Sequence, residues 1–146
     1  MKKPKLILNA GIYDLCHSGH LKLLRRMREA AGTDGKIVIV LHDDRSCFEI
    51  KDKIPVQSLD RRRDNLDIVG VGDETELCFN ADPATNFESV WMRHRDTHDI
   101  IYMRGDDLTG DFPGRWMLDK LGVPIEFLPY TKGVSSSEIR KELEDL

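Results

Sequence analysis

The sequence predicts an α/β domain built on a parallel sheet with helices on both faces. Short apolar runs recur at Leu6 to Ala10, Ile37 to Leu41, Leu77 to Phe79, Ile100 to Met103 and Ile125 to Leu128. Each is too short and too evenly apolar for a surface helix, and reads as a strand buried on two sides. A stretch with helical signals separates each run from the next, and no repeat, linker or low-complexity segment breaks the alternation over residues 1–146, which are read as one domain. In such folds ligands bind beyond the carboxyl ends of the strands, so the loops that follow strands are where chemistry is sought.

The elements follow in order. Between the first two strands, Ser18 to Ala31 places Leu21, Leu24, Met27 and Ala31 on one helical face and Arg25, Arg26 and Arg28 largely on the other. A second helix begins near Ser58 and runs through Leu59, Leu66 and Val69. Asp82 and Pro83 form a cap and first turn for a third, on which Phe87, Val90, Trp91 and His94 recur at helical spacing. Pro113 opens a fourth helix that closes at Gly122, and Ser135 with Glu138 forms a capping box for a fifth.

Composition narrows the function. The 146 residues carry a formal net charge of −4, so no global basic field draws the chain to nucleic acid or to an anionic membrane. Any anion site must be assembled locally. Three cysteines, Cys16, Cys47 and Cys78, stand far apart without CxxC spacing, which predicts free thiols and a cytoplasmic setting. The apolar run near the N-terminus is too short for a signal peptide or a membrane span.

Three segments at strand ends carry candidate chemistry. The first is Gly11, Ile12, Tyr13, Asp14, Leu15, Cys16, His17, Ser18, Gly19, His20, which sets two imidazoles at a helix N-terminus where amide N–H groups and the dipole favour an anion. Gly19 lets a phosphate approach the backbone, and the histidines can donate to oxygens on which charge builds. Simple capping by one histidine is the plainer alternative, and a zinc site with Cys16 is disfavoured because neighbours 16 and 17 point apart. The second segment is Tyr130, Thr131, Lys132, Gly133, Val134, Ser135, Ser136, another helix start rich in N–H and hydroxyl donors. The third is Arg104, Gly105, Asp106, Asp107, Leu108, Thr109, Gly110, Asp111, directly after the fourth strand, whose paired carboxylates suit magnesium, a ribose or base, or only a polar turn. Lys51, Lys53 and Arg62 lie in and just after the loop following the second strand.

Taken together these segments resemble the cytidylyltransferase family, and most closely its glycerol-3-phosphate cytidylyltransferases. The family's GxFDxxHxGH is matched by GIYDLCHSGH, its GDD turn by Gly105 to Asp107, and its RTxGIST imperfectly by Tyr130 to Ser136, in the same order across nearly the whole chain. The resemblance implies a Rossmann-like three-layer sandwich with a five-stranded parallel sheet of order 3-2-1-4-5, usually in a homodimer. It implies that His17 and His20 contact a nucleoside triphosphate and stabilise the transition state. Asp107 would belong to the nucleoside pocket, and magnesium would arrive on the triphosphate. A family lysine near the α-phosphate maps onto Lys51 or Lys53 without deciding between them, while Arg62 and Lys51 are candidates for the acceptor phosphate.

The implied reaction is transfer of CMP from CTP to a phosphorylated small alcohol, such as glycerol 3-phosphate, with release of pyrophosphate. Adenylyl transfer from ATP to a sugar phosphate or flavin mononucleotide uses the same scaffold. A phosphomonoester has a second pKa near ~6, so the attacking oxygen is already ionised at neutral pH and needs no general base. Positioning and charge neutralisation remain as the tasks of the protein. Three departures from the family pattern stand out: Ile12 replaces a common threonine, Tyr130 replaces an arginine, and Lys132 occupies a frequent glutamate position. Lys132, two residues on in an extended segment, would restore the cation lost at position 130. These departures also motivate a rival reading, a nucleotide-binding module without turnover. A fragment of a class I aminoacyl-tRNA synthetase also shares HxGH, but so short and acidic a chain leaves no tRNA-binding domain.

Overall fold

The computed structural model describes residues 2–107 and 109–129 of the chain. Five strands, β1 (Lys5–Gly11), β2 (Lys36–His42), β3 (Glu74–Cys78), β4 (Asp99–Gly105) and β5 (Ile125–Leu128), form one sheet of order β3-β2-β1-β4-β5. Every pairing is parallel, in registers such as Leu8↔Val38 and Leu8↔Tyr102. The order and direction agree with the expectation. Strand order reverses between β1 and β4, which places the loops after these two strands side by side at the carboxyl edge.

Successive residues of the central strands feed two different cores, which is why their sequences read as unbroken apolar runs. Leu6, Leu8, Val38, Val40, Ile100 and Tyr102 pack on one face beneath α4 (Ala84–His94) and α5 (Arg115–Leu121). Ile7, Ile37, Ile39, Leu41 and Met103 pack on the other beneath α1 (Ser18–Ala31) and α3 (Leu59–Val69). On α1 the predicted stripe is buried at Leu24, Met27 and Ala31, whereas Leu21, in the first turn, is 43% exposed.

Two elements differ from the sequence reading. The segment after β2 folds as an additional helix, α2 (Asp44–Lys51), capped by Asp43, whose Oδ1 accepts from Ser46 N at 2.9 Å. Only Ser46 and Cys47 of it are buried, so it carries little apolar stripe. β3 begins three residues earlier than its apolar run, at Glu74, and ends before Phe79, which is 60% exposed. As an edge strand it has polar positions Glu74, Thr75 and Glu76 that need not be buried. The predicted fifth helix from Ser135 lies outside the described residues. Among those residues no helix is long and apolar enough to cross a membrane.

Gly35 makes the α1–β2 turn possible by its lack of a side chain. A Cβ there would run into the carbonyl group of Ala31 and lie 2.8 Å from the carbonyl oxygen of Lys5. Backbone cannot step aside as a flexible side chain can. We therefore expect Gly35→Ala to cost about 1–3 kcal/mol, the usual range for forced overpacking, seen as a lower urea midpoint at unchanged slope. An unshifted midpoint would show that the turn yields without cost.

Candidate active site

The loop from β1 to α1 is a tight, strained turn. Tyr13, Leu15 and Cys16 all have positive φ (52°, 65° and 36°), a conformation that costs non-glycine residues energy and needs support from elsewhere. The support is visible. The buried Asp14 carboxylate accepts the backbone N–H groups of Val56 (2.8 Å) and Gln57 (3.0 Å), and Gln57 Oε1 accepts from Leu15 N at 2.9 Å. The Tyr13 hydroxyl donates to Asn9 Oδ1 at 2.6 Å, and Asn9 in turn donates to the Met103 carbonyl.

The turn delivers both histidines to the start of α1. His17 is the N-cap, and its Nδ1 accepts from Gly19 N at 3.1 Å, so the plainer capping role is realised. Because Nδ1 accepts, the neutral ring carries its hydrogen on Nε2. His20 stacks on His17 with centroids 3.8 Å apart and planes at 18°, and Tyr13 flanks it at 5.0 Å. Its Nδ1 is buried without a hydrogen-bond partner. Burial, then the neighbouring His17, then Lys51 together push the His20 pKa down to about 3, so the imidazole is neutral at physiological pH.

In front of His20 is a cavity of about 180 Å³ lined by residues of two loops: Gly11, Ile12, Tyr13 and Asp14 from the first, and Lys51, Lys53, Ile54 and Pro55, with Cys47 of α2, from the second. The structure thus gathers Gly11 to Asp14, His20 and both candidate lysines into one site. Lys51 is near enough for its charge to act on His20. The Lys53 backbone is anchored by the Cys47 thiol, which donates to its carbonyl at 3.4 Å. Gly105 and Asp107 do not line this cavity. They lie at the turn after β4, where Asp106 N donates to the Leu128 carbonyl, one strand away from the β1 loop. Tyr130, Thr131, Lys132, Gly133, Val134, Ser135 and Ser136 fall outside the described residues.

Comparison with known proteins decides what this site belongs to. Residues 8–142 match the family model described as cytidylyltransferase-like. The chain belongs to that family. It is accordingly a nucleotidyltransferase. Its similar relatives include the glycerol-3-phosphate cytidylyltransferase of Bacillus subtilis, 28% identical over 97% of this chain and 99% of the relative. An FAD synthase of Korarchaeum cryptofilum is 34% identical over 38% of each chain. A crystal structure of a lipopolysaccharide core biosynthesis protein from Thermoplasma volcanium superposes with a TM-score of 0.62 at 20% identity, covering 89% of this chain and 98% of that one, and supports the fold.

One expected site residue of this cytidylyltransferase-like protein is corrected by its surroundings. Arg62, a candidate for the acceptor phosphate, has a fully buried side chain whose guanidinium is already engaged. It donates to the carbonyls of Gln57 (3.2 Å), Ile12 (2.8 Å) and His42 (2.7 Å), and to Asp44 Oδ1 at 2.8 Å. A phosphate would have to displace these bonds and enter a closed interior. Arg62 is a structural tie between the loops that form the cavity.

Sequence reasoning missed α2 and with it Cys47, Ile54 and Pro55 as cavity residues, and Gln57 as the brace of the strained turn. Asp43 followed by Ser46, with Cys47 and Ile50 three apart, was the available helix signal.

Two outcomes follow from this geometry. Arg62→Met leaves at least three carbonyl groups without their donor, and should lower stability by about 3 kcal/mol or more in chemical denaturation, with Arg62→Lys recovering only part. His20 binds fewer protons folded than unfolded between its lowered pKa and the ordinary 6.5, so stability must fall as pH drops through that window. Burial lowers His42 and His94 as well, adding in the same direction. His20→Asn should flatten the slope between about pH 6 and pH 4; an unchanged slope would show that His20 titrates normally.

Proposed function

We propose that this nucleotidyltransferase transfers CMP from CTP to a phosphorylated small alcohol of the glycerol 3-phosphate type, releasing pyrophosphate. The observation that carries the reading is the cavity in which His20, stacked on the capping His17, faces Lys51 and Lys53 at the carboxyl edge of the sheet. The near full-length similarity to a glycerol-3-phosphate cytidylyltransferase supports the choice of nucleotide and acceptor.

In this reading the α-phosphate of the nucleotide lies at the start of α1. There the His17 and His20 ring N–H groups and the helix amides stabilise oxygens on which charge develops. Both rings donate while neutral, and the depressed pKa of His20 keeps it so in the free protein. Lys51 is the better candidate for the α-phosphate lysine because its charge reaches His20, with Lys53 placed further along the same wall. The acceptor phosphate attacks in line through an oxygen already ionised, and the P–O bond to pyrophosphate breaks as the new one forms. Magnesium travels on the triphosphate. Asp107, at the turn after β4, is assigned to the nucleoside.

ATP is the second reading, supported by the partial similarity to an FAD synthase. A pyrophosphate-release assay with CTP or ATP against glycerol 3-phosphate, sugar phosphates and flavin mononucleotide separates the two. With CTP and glycerol 3-phosphate, His17→Ala and His20→Ala are expected to lower kcat by about 10²–10³-fold, as for loss of a transition-state donor. Lys51→Ala should lose more than Lys53→Ala. Nucleotide binding without turnover on any acceptor would instead identify a binding module and defeat the proposal.

A further inference from the structure

With Arg62 engaged in the interior, one of the two candidate cations for the acceptor phosphate is lost among the described residues. Arg104 is another candidate. It is the penultimate residue of β4, directly before Gly105. It lies two residues beyond Tyr102, where the pairing of β4 with β1 ends, at the carboxyl end of the strand that neighbours β1, whose chain runs on into Gly11 and Ile12 of the cavity wall. The side chain shares the sheet face of Tyr102, and both Arg104 and Phe112 reach the same place: its guanidinium carbon lies 4.3 Å from the Phe112 ring centroid, and Phe112 stacks on Tyr102 at 5.5 Å.

The charge is poorly compensated. The Nε of Arg104 is buried with no hydrogen-bond partner, and no Asp or Glu pairs with the guanidinium among the described residues. An aromatic shelf offsets part of the desolvation of a cation, but it offers no acceptor for the N–H groups. Contrast Arg62, whose guanidinium donates to three carbonyls and to the Asp44 carboxylate. A half-buried guanidinium with an unmet donor, held flat against a ring at the ligand-binding edge of a parallel sheet, is preorganised for an oxyanion that accepts a forked pair of hydrogen bonds.

We propose that Arg104 is a phosphate-binding residue of the active site, approaching the bound substrates from the α5 side of the sheet, opposite Lys51 and Lys53. The inference rests on the nucleotidyltransferase reading and names a residue which that reading does not otherwise use. Its ligand is a phosphate group, belonging either to the nucleotide or to the acceptor.

The test uses Arg104→Gln and Arg104→Lys in the full chain. Both keep an aliphatic stem to cover Phe112, and thermal melting identifies any variant whose fold is lost. In steady-state pyrophosphate release, Arg104→Gln is expected to raise one KM by tenfold or more, with Arg104→Lys intermediate. A rise confined to glycerol 3-phosphate assigns the acceptor phosphate, and a rise confined to CTP assigns the nucleotide. If both folded variants keep both KM values within twofold of the unsubstituted protein, the proposal is overturned while the transferase stands. If the unsubstituted protein itself shows no turnover, the transferase reading fails separately. Calorimetric titration with CTP and with inorganic pyrophosphate then decides Arg104: tenfold weaker binding in Arg104→Gln supports the inference, and equal binding sinks it.

Discussion

One buried guanidinium joins the segments that surround the cavity of this protein. Arg62, on α3, donates to the loop after β1 through Ile12, to the end of β2 through His42, to the start of α2 through Asp44, and to the chain before α3 through Gln57. These four segments otherwise have little apolar surface in common. Burying an arginine is unfavourable unless its donors are satisfied, so the chain segments that supply the acceptors are fixed relative to one another. Gln57 then braces Leu15, and the backbone of residues 56–57 holds Asp14. The strain at Tyr13, Leu15 and Cys16 is thereby borne by a network that begins with Arg62. The placement of His17 and His20 depends on it.

The sheet was legible because its physics is local. A strand buried on two faces must be apolar at nearly every position, and the inner strands β1, β2 and β4 obey that rule closely enough to be read from their apolar runs; β5, an edge strand with Glu126 exposed, was still marked by Ile125, Phe127 and Leu128. β3 escaped in part because an edge strand is relieved of it, and α2 escaped because eight residues beside the sheet carry too small an apolar stripe to stand out. Strand order came through a different route: the motifs at the ends of β1 and β4 resemble a family whose sheet reverses between those strands, and the structure has that order.

The gathering of the candidate residues was legible in part. HxGH at a strand-to-helix junction set two imidazoles at a helix start, and the two rings do stack at the start of α1. Charge composition could not show which cations face a ligand. Lys51, Lys53 and Arg62 look equivalent as basic residues in and just after one loop. The fold exposes the first two at the cavity and closes over the third. Arg104 stood at the head of the third segment without a role, since attention there went to the carboxylates, and the ring of Phe112 and the unpartnered Nε give it one.

The electrostatic state of His20 ties these threads together. In the free protein its ring is held neutral by burial and by two neighbours, His17 and Lys51, that resist a further positive charge. Such resistance suits a site that collects lysines and helix amides for a polyanion, because an imidazolium added to them would destabilise the unliganded fold. In the proposed reaction a bound polyphosphate works against this depression. It brings negative charge to the same ring and pairs with Lys51, so the cost of placing a proton on His20 falls as the substrate arrives. The ring can therefore donate as a neutral group in the ground state and accept more positive character as charge accumulates on the phosphate oxygens. The stack with His17 keeps it in position throughout.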